Sequence, residues 1–224
     1  MLKTYYKKDG VTILLGSSLD LLPDLSKDSV HLTVTDPPYG VNLVYDTYKD
    51  TEDNWFALMS KIVPELIRVS EMSILPSCQI RRMKWIYTNI PPDWLICWYK
   101  GSPGCSAYIG FNDWEPLLVY GKRKGLFIHD FLKVLNDEKM GNYGHPCPKP
   151  LGWAEWLIQR ASREGEIVLD PFMGSGTTLV AAKKNKRRAI GVDISEKYCE
   201  IAAKRLDALV LEPTPDSPKV GIPD

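Results

Sequence analysis

The sequence lacks the features that mark exported and membrane-spanning proteins. No apolar run approaches the ~20 residues that a membrane helix requires. The first ten residues are polar and contain no apolar core like that of a signal peptide. These absences predict a cytoplasmic protein with no membrane partner.

Cysteine and histidine are too few and too scattered to indicate a disulfide framework or a metal site. The chain has five cysteines and three histidines, and no two cysteines form a Cys-x-x-Cys pair. A zinc ligand set would have to combine His145 and Cys147 with the distant Cys105 or His129, a spacing unlike that of zinc fingers. We therefore predict reduced thiols and no bound metal.

Net charge is also absent, because 28 basic residues balance 28 acidic ones. A neutral chain exerts no overall attraction on a polyanion, so a nucleic-acid partner would have to be held by local basic patches. Three such patches occur, at residues 81–84, 122–124 and 183–188. Charge runs are also typical of a solvated surface. We favour that interpretation for residues 183–188, and the two interpretations stand equal for residues 122–124.

The hydrophobic pattern predicts one α/β domain over residues 1–210. A chain of 224 residues with 44% hydrophobic and 25% charged residues has the composition of a globular protein with one core. Apolar runs and helical periodicity predict strands at 11–16, 30–35, 72–78, 94–99, 114–120, 166–169 and 188–192, and helices at 17–25, 55–67, 82–90, 151–163, 175–185 and 195–209.

Three local features refine this outline. The helix that begins near Trp55 is expected to be capped by Asp53 or Asn54, with a kink or a break at Pro64. Residues 121–150 are the least regular internal stretch. The last twelve residues contain four prolines, so 211–224 are predicted to form an irregular tail.

The first chemical motif, Asp36 to Tyr39, reads Asp-Pro-Pro-Tyr and follows the apolar run Val30 to Val34. Two prolines can neither donate to a strand ladder nor continue a helix, so the strand ends here and its next residues turn outward. Ligands of open α/β sheets bind beyond the carboxyl ends of the strands, a place that suits a carboxylate, a rigid carbonyl and an aromatic ring. By itself the motif also fits a plain strand terminator with an exposed tyrosine.

A second motif, Val168 to Thr178, has the pattern of a strand, a glycine-rich turn and a helix. Phe172 stands where the G-x-G-x-x-G fingerprint has its first glycine, and the third glycine is missing, so a pyrophosphate is not the expected ligand. Gly174 and Gly176 still allow close approach, and the N–H groups of a helix start favour an anionic group such as a carboxylate. Asp193 ends the next strand, where such units bind ribose hydroxyls. A nucleoside with a carboxylate and no phosphate, S-adenosylmethionine, fits both features.

The order of these motifs resembles that of the amino-methylating DNA methyltransferases of the circularly permuted β class. In that family the Asp-Pro-Pro-Tyr motif precedes the cofactor motif, as Asp36 to Tyr39 precede Asp170 to Thr178 here. The resemblance also covers residues 16–34, 114–122, 145–150 and 168–206. It implies a Rossmann-like methyltransferase fold with a mostly parallel seven-stranded sheet, one antiparallel strand, helices on both faces and circular permutation. It further implies a prokaryotic or phage-encoded enzyme that acts on double-stranded DNA. A homodimer is one oligomeric state that the resemblance allows.

The resemblance assigns roles to a catalytic and a cofactor-binding group of residues, and the basic patches and the loop at 41–54 supply candidates for DNA contact. The catalytic group is Asp36, Pro37, Pro38 and Tyr39. The residues that hold S-adenosylmethionine, and its product S-adenosylhomocysteine, are Ser17, Asp20, His145, Lys149, Asp170, Pro171, Phe172, Gly174, Ser175, Gly176, Thr177, Asp193 and Ile194. The residues expected to contact DNA are Tyr45, Lys49, Arg81, Arg82, Lys122, Arg123 and Lys124.

The sequence departs from the family pattern at three places. Ser17 stands where the family commonly has aspartate, and Asp20, one helical turn later, is expected to substitute for it. Cys147 replaces the threonine of the family's His-Pro-Thr-x-Lys-Pro segment, which removes a hydroxyl near the methionine end of the cofactor. Residues 121–150 are the only stretch available as a target-recognition insertion and cofactor clamp. DNA sequence specificity is therefore expected to be relaxed or supplied by a partner.

The implied reaction is direct methyl transfer to an exocyclic amine. Such an amine is a poor nucleophile because its lone pair is delocalised into the ring. The Asp36 carboxylate and the Pro37 carbonyl are expected to accept its two N–H hydrogens and to orient the lone pair. No cysteine lies close to Asp36 in the sequence, whereas ring-carbon methylation needs a thiolate nucleophile. The base would be extruded from the duplex and stacked on Tyr39.

Adenine N6 is the favoured acceptor, because family members that methylate cytosine N4 more often have serine in place of Asp36. Three alternatives stay open. In the first, the methyl acceptor is the N4 amine of cytosine. In the second, the methyl acceptor is an amine of RNA or a protein amide side chain. In the third the chain is a catalytically silent DNA-binding or cofactor-binding module, which the departures at Ser17 and Cys147 and the zero net charge would favour.

Overall fold

The fold is built on a mixed β-sheet, seen in a computed structural model of the chain. The structure describes residues 2–43, 47–77, 80–101, 106–107, 110–111, 113–121, 123, 129–135 and 148–209. The strands are β1 (Lys3–Lys8), β2 (Val11–Leu15), β3 (Leu32–Val34), β4 (Met72–Pro76), β5 (Trp94–Tyr99), β6 (Ser106–Ala107), β7 (Gly110–Phe111), β8 (Trp114–Gly121), β9 (Phe131–Lys133), β10 (Ile167–Asp170) and β11 (Arg188–Asp193).

Nine of these strands form one sheet in the order β1-β2-β11-β10-β3-β4-β8-β5-β9, and β6 pairs only with β7. Strands β2, β11, β10, β3 and β4 are parallel to one another, so their carboxyl ends meet at one edge. Strand β8 runs antiparallel to both β4 and β5. Strand β10, late in the chain, lies directly beside β3, and this brings the two sequence motifs together.

The helices are α1 (Ser18–Leu21), α2 (Glu52–Val69), α3 (Ile80–Asn89), α4 (Leu151–Ala161), α5 (Thr177–Lys184) and α6 (Glu196–Asp207), with a short 3-10 turn at Leu22–Asp24. Alternate residues of a strand point to opposite faces of the sheet. Val168 accordingly packs in a core with α4, α5 and α6. Its neighbour Leu169 packs on the other face with α1 and α2. Helices cover both faces, as predicted.

The predicted seven-stranded sheet with one antiparallel strand corresponds to the inner strands from β2 to β5, in which only β8 is reversed. The full sheet is larger, because β1 and β9 extend its two edges and β1 is a second antiparallel strand. Both were missed because an edge strand needs little apolar sequence. Strand β1 reads Lys-Thr-Tyr-Tyr-Lys-Lys and has no fully buried residue. The circular permutation stays a prediction.

Helix α2 corrects two local expectations. Its N-cap is Thr51, whose hydroxyl accepts a hydrogen bond from the amide of Asn54. Asp53 and Asn54 therefore lie within the first turn, where an acidic side chain is favoured by the helix dipole. The helix continues through Pro64 to Val69, so the break does not occur, whereas the alternative of a kink stays a prediction. Burial of six side chains along one stripe stabilises it despite the proline.

Several predictions fall on parts of the chain that the structure covers only partly. Within 121–150, strand β9 pairs with β5 at the sheet edge, and most of the remaining residues lie outside the described part. The expected tail at 211–224 lies outside it altogether. The boundaries of the predicted domain stay a prediction. Among the described helices, none combines the length and the apolar character needed to cross a membrane.

Candidate active site

A cavity opens at the carboxyl ends of β2, β11, β10 and β3, the edge where ligands of such sheets bind. Of the residues predicted to form the site, those that line the cavity are Ser17, Asp36, Pro38, Lys149, Asp170, Pro171, Phe172, Gly174, Ser175, Thr177, Asp193 and Ile194. Both sequence motifs therefore face one space. The lining also includes residues that the sequence patterns did not single out, namely Gly16, Ser18, Leu19, Thr47, Tyr48, Leu58, Pro148, Trp153, Met173, Thr178 and Tyr198.

The glycine turn after β10 is held by Asp193. One carboxylate oxygen of Asp193 accepts a hydrogen bond from the Gly174 amide at 3.0 Å, and the other accepts one from the Ser195 amide at 2.8 Å. Burial raises the pKa of Asp193 to about 6, against the opposing effect of these amides. The carboxylate thus fixes the turn that it faces, and it lines the cavity beside it.

Asp170 lies at the floor of the cavity and is 3% exposed. Its carboxylate accepts hydrogen bonds from the Thr35 hydroxyl at 2.7 Å and from the Phe172 amide at 3.1 Å. Burial nevertheless raises the pKa of Asp170 to about 7, and the nearby negative charge of Asp36 adds to the rise. Asp170 therefore holds the end of β3 against the turn after β10.

Gly176 has a different position from the one expected of a cofactor-binding residue. It is the N-cap of α5, in the left-handed conformation with φ of 80°, and it does not line the cavity. A Cβ at this position would lie 2.7 Å from the Cβ of Ala202. The glycine is required because α6 packs directly against the start of α5.

Asp36, at the end of β3, faces the cavity with a quarter of its side chain exposed (24%). Its Oδ1 lies 3.1 Å from the Nζ of Lys149. Burial raises the pKa of the Asp36 carboxyl, and the Lys149 ammonium opposes that rise. Lys149 was expected at the methionine end of a cofactor, and the structure places it against the catalytic motif as well as on the cavity wall.

Tyr39 is half-buried, and its hydroxyl is engaged within the protein. The hydroxyl donates a hydrogen bond to Oε1 of Glu115 at 2.9 Å and accepts one from Lys149 at 2.6 Å. The Lys149 ammonium also lies 4.8 Å from the centroid of the tyrosine ring. Tyr39 is thus held in one orientation, in place of the exposed ring that the sequence motif suggested.

The backbone after the motif is clamped by two charged side chains that are 2% exposed, Asp50 and Arg82. The carboxylate of Asp50 accepts hydrogen bonds from the amides of Gly40 (2.5 Å), Val41 (3.0 Å) and Leu43 (3.1 Å). The guanidinium of Arg82 donates to the carbonyls of Tyr39 and Gly40. Asp50 and Arg82 therefore fix the backbone of residues 39–43, at the end of the Asp-Pro-Pro-Tyr motif and directly after it.

Two arginines predicted to contact DNA are enclosed by the protein instead. Arg82 makes the bonds just described, and its guanidinium also stacks 4.6 Å from the ring centroid of Trp55. Arg123 is paired with Glu71 at 3.1 Å and with Glu166 at 2.7 Å. Both side chains are turned inward to these partners, which does not support the expectation that they contact DNA.

The remaining predicted residues divide into three groups. Asp20 is exposed on α1 and does not line the cavity, so the structure does not support its substitution for the family's aspartate. Lys49 is exposed beside Tyr48 of the cavity wall, and Pro37 is buried behind the lining. Tyr45, Lys122, Lys124, His145 and Cys147, together with the side chain of Arg81, lie outside the described residues.

Sequence reasoning missed residues whose role depends on partners far along the chain. Asp50 and Arg82 carried no local signal beyond their charge, because their partners are backbone groups at 39–43. Trp153 lies within the helix predicted at 151–163, where it is buried, and it also lines the cavity. Its helical spacing could have placed it only on the buried face of α4.

The sequence is similar to those of known DNA methylases. A family model for N6/N4 DNA methylases matches residues 98–204. YubD of Escherichia coli (strain K12), which is named as a methylase, is 36% identical over 205 residues, a match that covers 87% of this chain and 89% of YubD.

Two solved structures share the fold. The PvuII DNA methyltransferase, described as cytosine-N4-specific, has a TM-score of 0.67 at 17% identity, over 91% of this chain and 90% of that chain. M1.HpyAVI, solved in complex with SAM, has a TM-score of 0.63 at 23% identity, over 88% and 99% of the two chains. The family model over residues 98–204 and the match to YubD over most of both sequences show that the chain belongs to the N6/N4 family of DNA methylases.

Proposed function

We propose that this methylase transfers a methyl group from S-adenosylmethionine to the N6 amine of adenine in double-stranded DNA. One observation carries the proposal: Asp36 of the Asp-Pro-Pro-Tyr motif faces the same cavity as Gly174 and Asp193 of the cofactor motif. A methyl donor held at the glycine turn would therefore lie next to the carboxylate that receives the amine.

The chemistry of the cavity fits the donor. Three carboxyl groups, those of Asp36, Asp170 and Asp193, face it with the ammonium of Lys149, so the described lining suits a ligand with positive charge. Asp193 would hold the ribose hydroxyls, and the turn at Gly174 would admit the ligand close to the backbone. When bound, S-adenosylmethionine supplies an electrophilic methyl group on a sulfonium centre.

The protein's own residues prepare the acceptor amine. The Asp36 carboxylate and the Pro37 carbonyl accept its two N–H hydrogens, which withdraws the lone pair from the ring and aims it into the cavity. Asp50 and Arg82 keep these acceptors in place, because they bind the backbone that follows them. Asp36 acts as an ionised acceptor in this arrangement, and the proton leaves through Asp36 or through water.

The target base must leave the duplex to reach this site. Tyr39 offers a ring on which the base can stack, a contact worth roughly 1–3 kcal/mol per base in single-strand binders. Its hydroxyl is held by Glu115 and Lys149, so the ring is oriented before the base arrives. Lys49, exposed beside the cavity, is our candidate for phosphate contact.

Cytosine N4 is the second candidate acceptor. The likeness to the PvuII enzyme, which is described as cytosine-N4-specific, favours it. We prefer adenine because Asp36 stands at the position where cytosine-specific members of the family more often have serine. We further propose that residues 121–150 contribute to target recognition, that a homodimer is one active arrangement, and that the enzyme acts on DNA in the cytoplasm.

The proposal is tested with labelled S-adenosylmethionine and undamaged double-stranded DNA, followed by hydrolysis to nucleosides and identification of the labelled one. We expect label on N6 of deoxyadenosine, and none with the Asp36→Asn variant. Label on the amine of deoxycytidine would overturn the choice of base. Absence of label from every DNA tested, with the donor shown to bind, would favour a catalytically silent binding module.

A further inference from the structure

Lys149 belongs to a buried row of charged and polar groups that ends at the catalytic carboxylate. The contacts run from Asp36 to Lys149 (3.1 Å), from Lys149 to the Tyr39 hydroxyl (2.6 Å) and from that hydroxyl to Glu115 (2.9 Å). Glu115 is in turn paired with Lys100 at 3.3 Å. The row contains two carboxylates and two ammonium groups, so it is neutral as a set.

The burial of this row makes its pairing important. The side chain of Lys149 is 9% exposed and that of Glu115 is 5% exposed. A buried ammonium or carboxylate costs several kcal/mol unless an opposite charge and hydrogen bonds compensate it. Lys149 meets this requirement through Asp36 and Tyr39, and the ring of Trp98 lies 5.5 Å from its Nζ. Its position is therefore determined by the catalytic motif and by Glu115 behind it.

We infer that Lys149 is a positioning residue for catalysis, which keeps the Asp36 carboxylate ionised and directed into the cavity, while Glu115 holds Lys149 in place through the Tyr39 hydroxyl. The inference rests on the proposed function of Asp36 as the acceptor of the amine hydrogens. It assigns Lys149 a role at the carboxylate, whereas the family resemblance suggested only a role in holding the cofactor.

The effects of the neighbouring groups on the pKa of Asp36 support this role. Burial favours the neutral form of Asp36, and the neighbouring carboxylate of Glu115 favours it further. Lys149 and the Tyr39 hydroxyl act in the opposite direction and lower the pKa of Asp36. Protonated Asp36 would lose one of its acceptor sites for the amine, so the lysine protects the reactive form.

The test compares the wild type with Lys149→Met, Lys149→Arg and Glu115→Gln by two measurements. The first is the pH profile of kcat/KM for methyl transfer, whose acidic limb reports Asp36 in the free enzyme. The second is the titration of the Asp36 carboxyl by carbon NMR in the protein alone, assigned with Asp36→Asn. The second measurement also separates the titration of Asp36 from that of Asp170, whose carboxyl lines the same cavity.

We expect Lys149→Met to move both the acidic limb and the Asp36 titration to higher pH, by about one to three units for the loss of an adjacent opposite charge. Glu115→Gln should move both to lower pH by a smaller amount, because it removes a like charge. Lys149→Arg should stay near the wild type. If Lys149→Met does not fold, Lys149→Gln, which also lacks the positive charge, takes its place in both measurements.

An unchanged Asp36 titration in Lys149→Met, accompanied only by weaker binding of S-adenosylmethionine, would overturn the inference and restore the cofactor-clamp role. Failure of the proposed function has a different signature. The wild type would then transfer no methyl group to DNA, while the NMR titrations would still report whether Lys149 controls Asp36.

Discussion

Thr35 donates a hydrogen bond from its hydroxyl to the carboxylate of Asp170 at 2.7 Å. This bond joins two residues 135 positions apart in the chain, at the ends of the adjacent parallel strands β3 and β10. Thr35 immediately precedes the catalytic motif, and Asp170 begins the cofactor motif. A buried hydrogen bond thus links the two motifs. A substitution in one motif is therefore expected to alter the geometry of the other.

Substitution of Asp36 by alanine should separate transfer from cofactor binding. We expect methyl transfer to fall by about 10²- to 10⁴-fold, because the amine loses one of its two acceptors. Binding of S-adenosylmethionine, measured by calorimetry, should be retained, since the glycine turn is held by Asp193. Asp24→Ala, at an exposed position on the short 3-10 turn, is the control. Loss of cofactor binding in Asp36→Ala would contradict the assigned role.

Asp50 should be required for the stability of the catalytic loop. Asp50→Ala removes the acceptor of three amides, those of Gly40, Val41 and Leu43. We expect the free energy of unfolding to fall by about 2–4 kcal/mol, as for the loss of buried charged hydrogen bonds, with a loss of transfer activity. Denaturant unfolding measures the change. Asp53→Ala, exposed on the first turn of α2, should lower the free energy of unfolding far less. An equal loss in the two variants would contradict the role of Asp50 in holding residues 40–43.

Two glycines with the same backbone conformation form a matched pair. Gly176 and Gly165 both have φ of 80°, but a Cβ on Gly176 would meet Ala202 at 2.7 Å, whereas one on Gly165 would have no atom within 4 Å. Both alanine variants should lose about 1–2 kcal/mol of stability from the left-handed backbone. Gly176→Ala should lose a further ~1–3 kcal/mol from overpacking between α5 and α6. Urea unfolding of the two variants checks the difference, and equal losses would refute the packing role.

Glu166 should make stability depend on pH in the acid range. Its hydrogen bonds with Arg123 lower the pKa of Glu166 from 4.5 to about 2. Because the folded-state pKa is depressed, its contribution is present above about pH 4.5 and is lost as the pH falls towards about 2.

Comparison with Glu166→Gln isolates that contribution. The wild type should be more stable than this variant at pH 5 to 7, by at most about 3 kcal/mol, and the difference should vanish near pH 2. Urea unfolding across this range provides the measurement. Glu164→Gln, whose side chain is 64% exposed, should show no such trend. A difference that is constant with pH would mean that the pair with Arg123 does not hold Glu166 ionised.

Much of the fold was predictable because its signals are local. Apolar runs marked the inner strands, and helical periodicity marked the six helices to within a few residues. The prolines after β3 and the glycines after β10 predicted turns at the ends of these strands, where we expected a site. Strands β1 and β9 were not predictable in this way, because edge strands bury few side chains and so have no apolar pattern.

The sequence by itself determined the fold class, the two motifs, their order along the chain and hence the family. The tertiary structure alone decided which partner each charged side chain takes. Lys149 pairs with Asp36, Arg123 pairs with Glu166, and Arg82 donates a hydrogen bond to the carbonyl of Gly40. These contacts form because the sheet order brings distant segments of the chain together. Local patterns encode which face of an element is buried. Ion pairs between elements depend on topology, which separates the two partners by tens to more than a hundred positions.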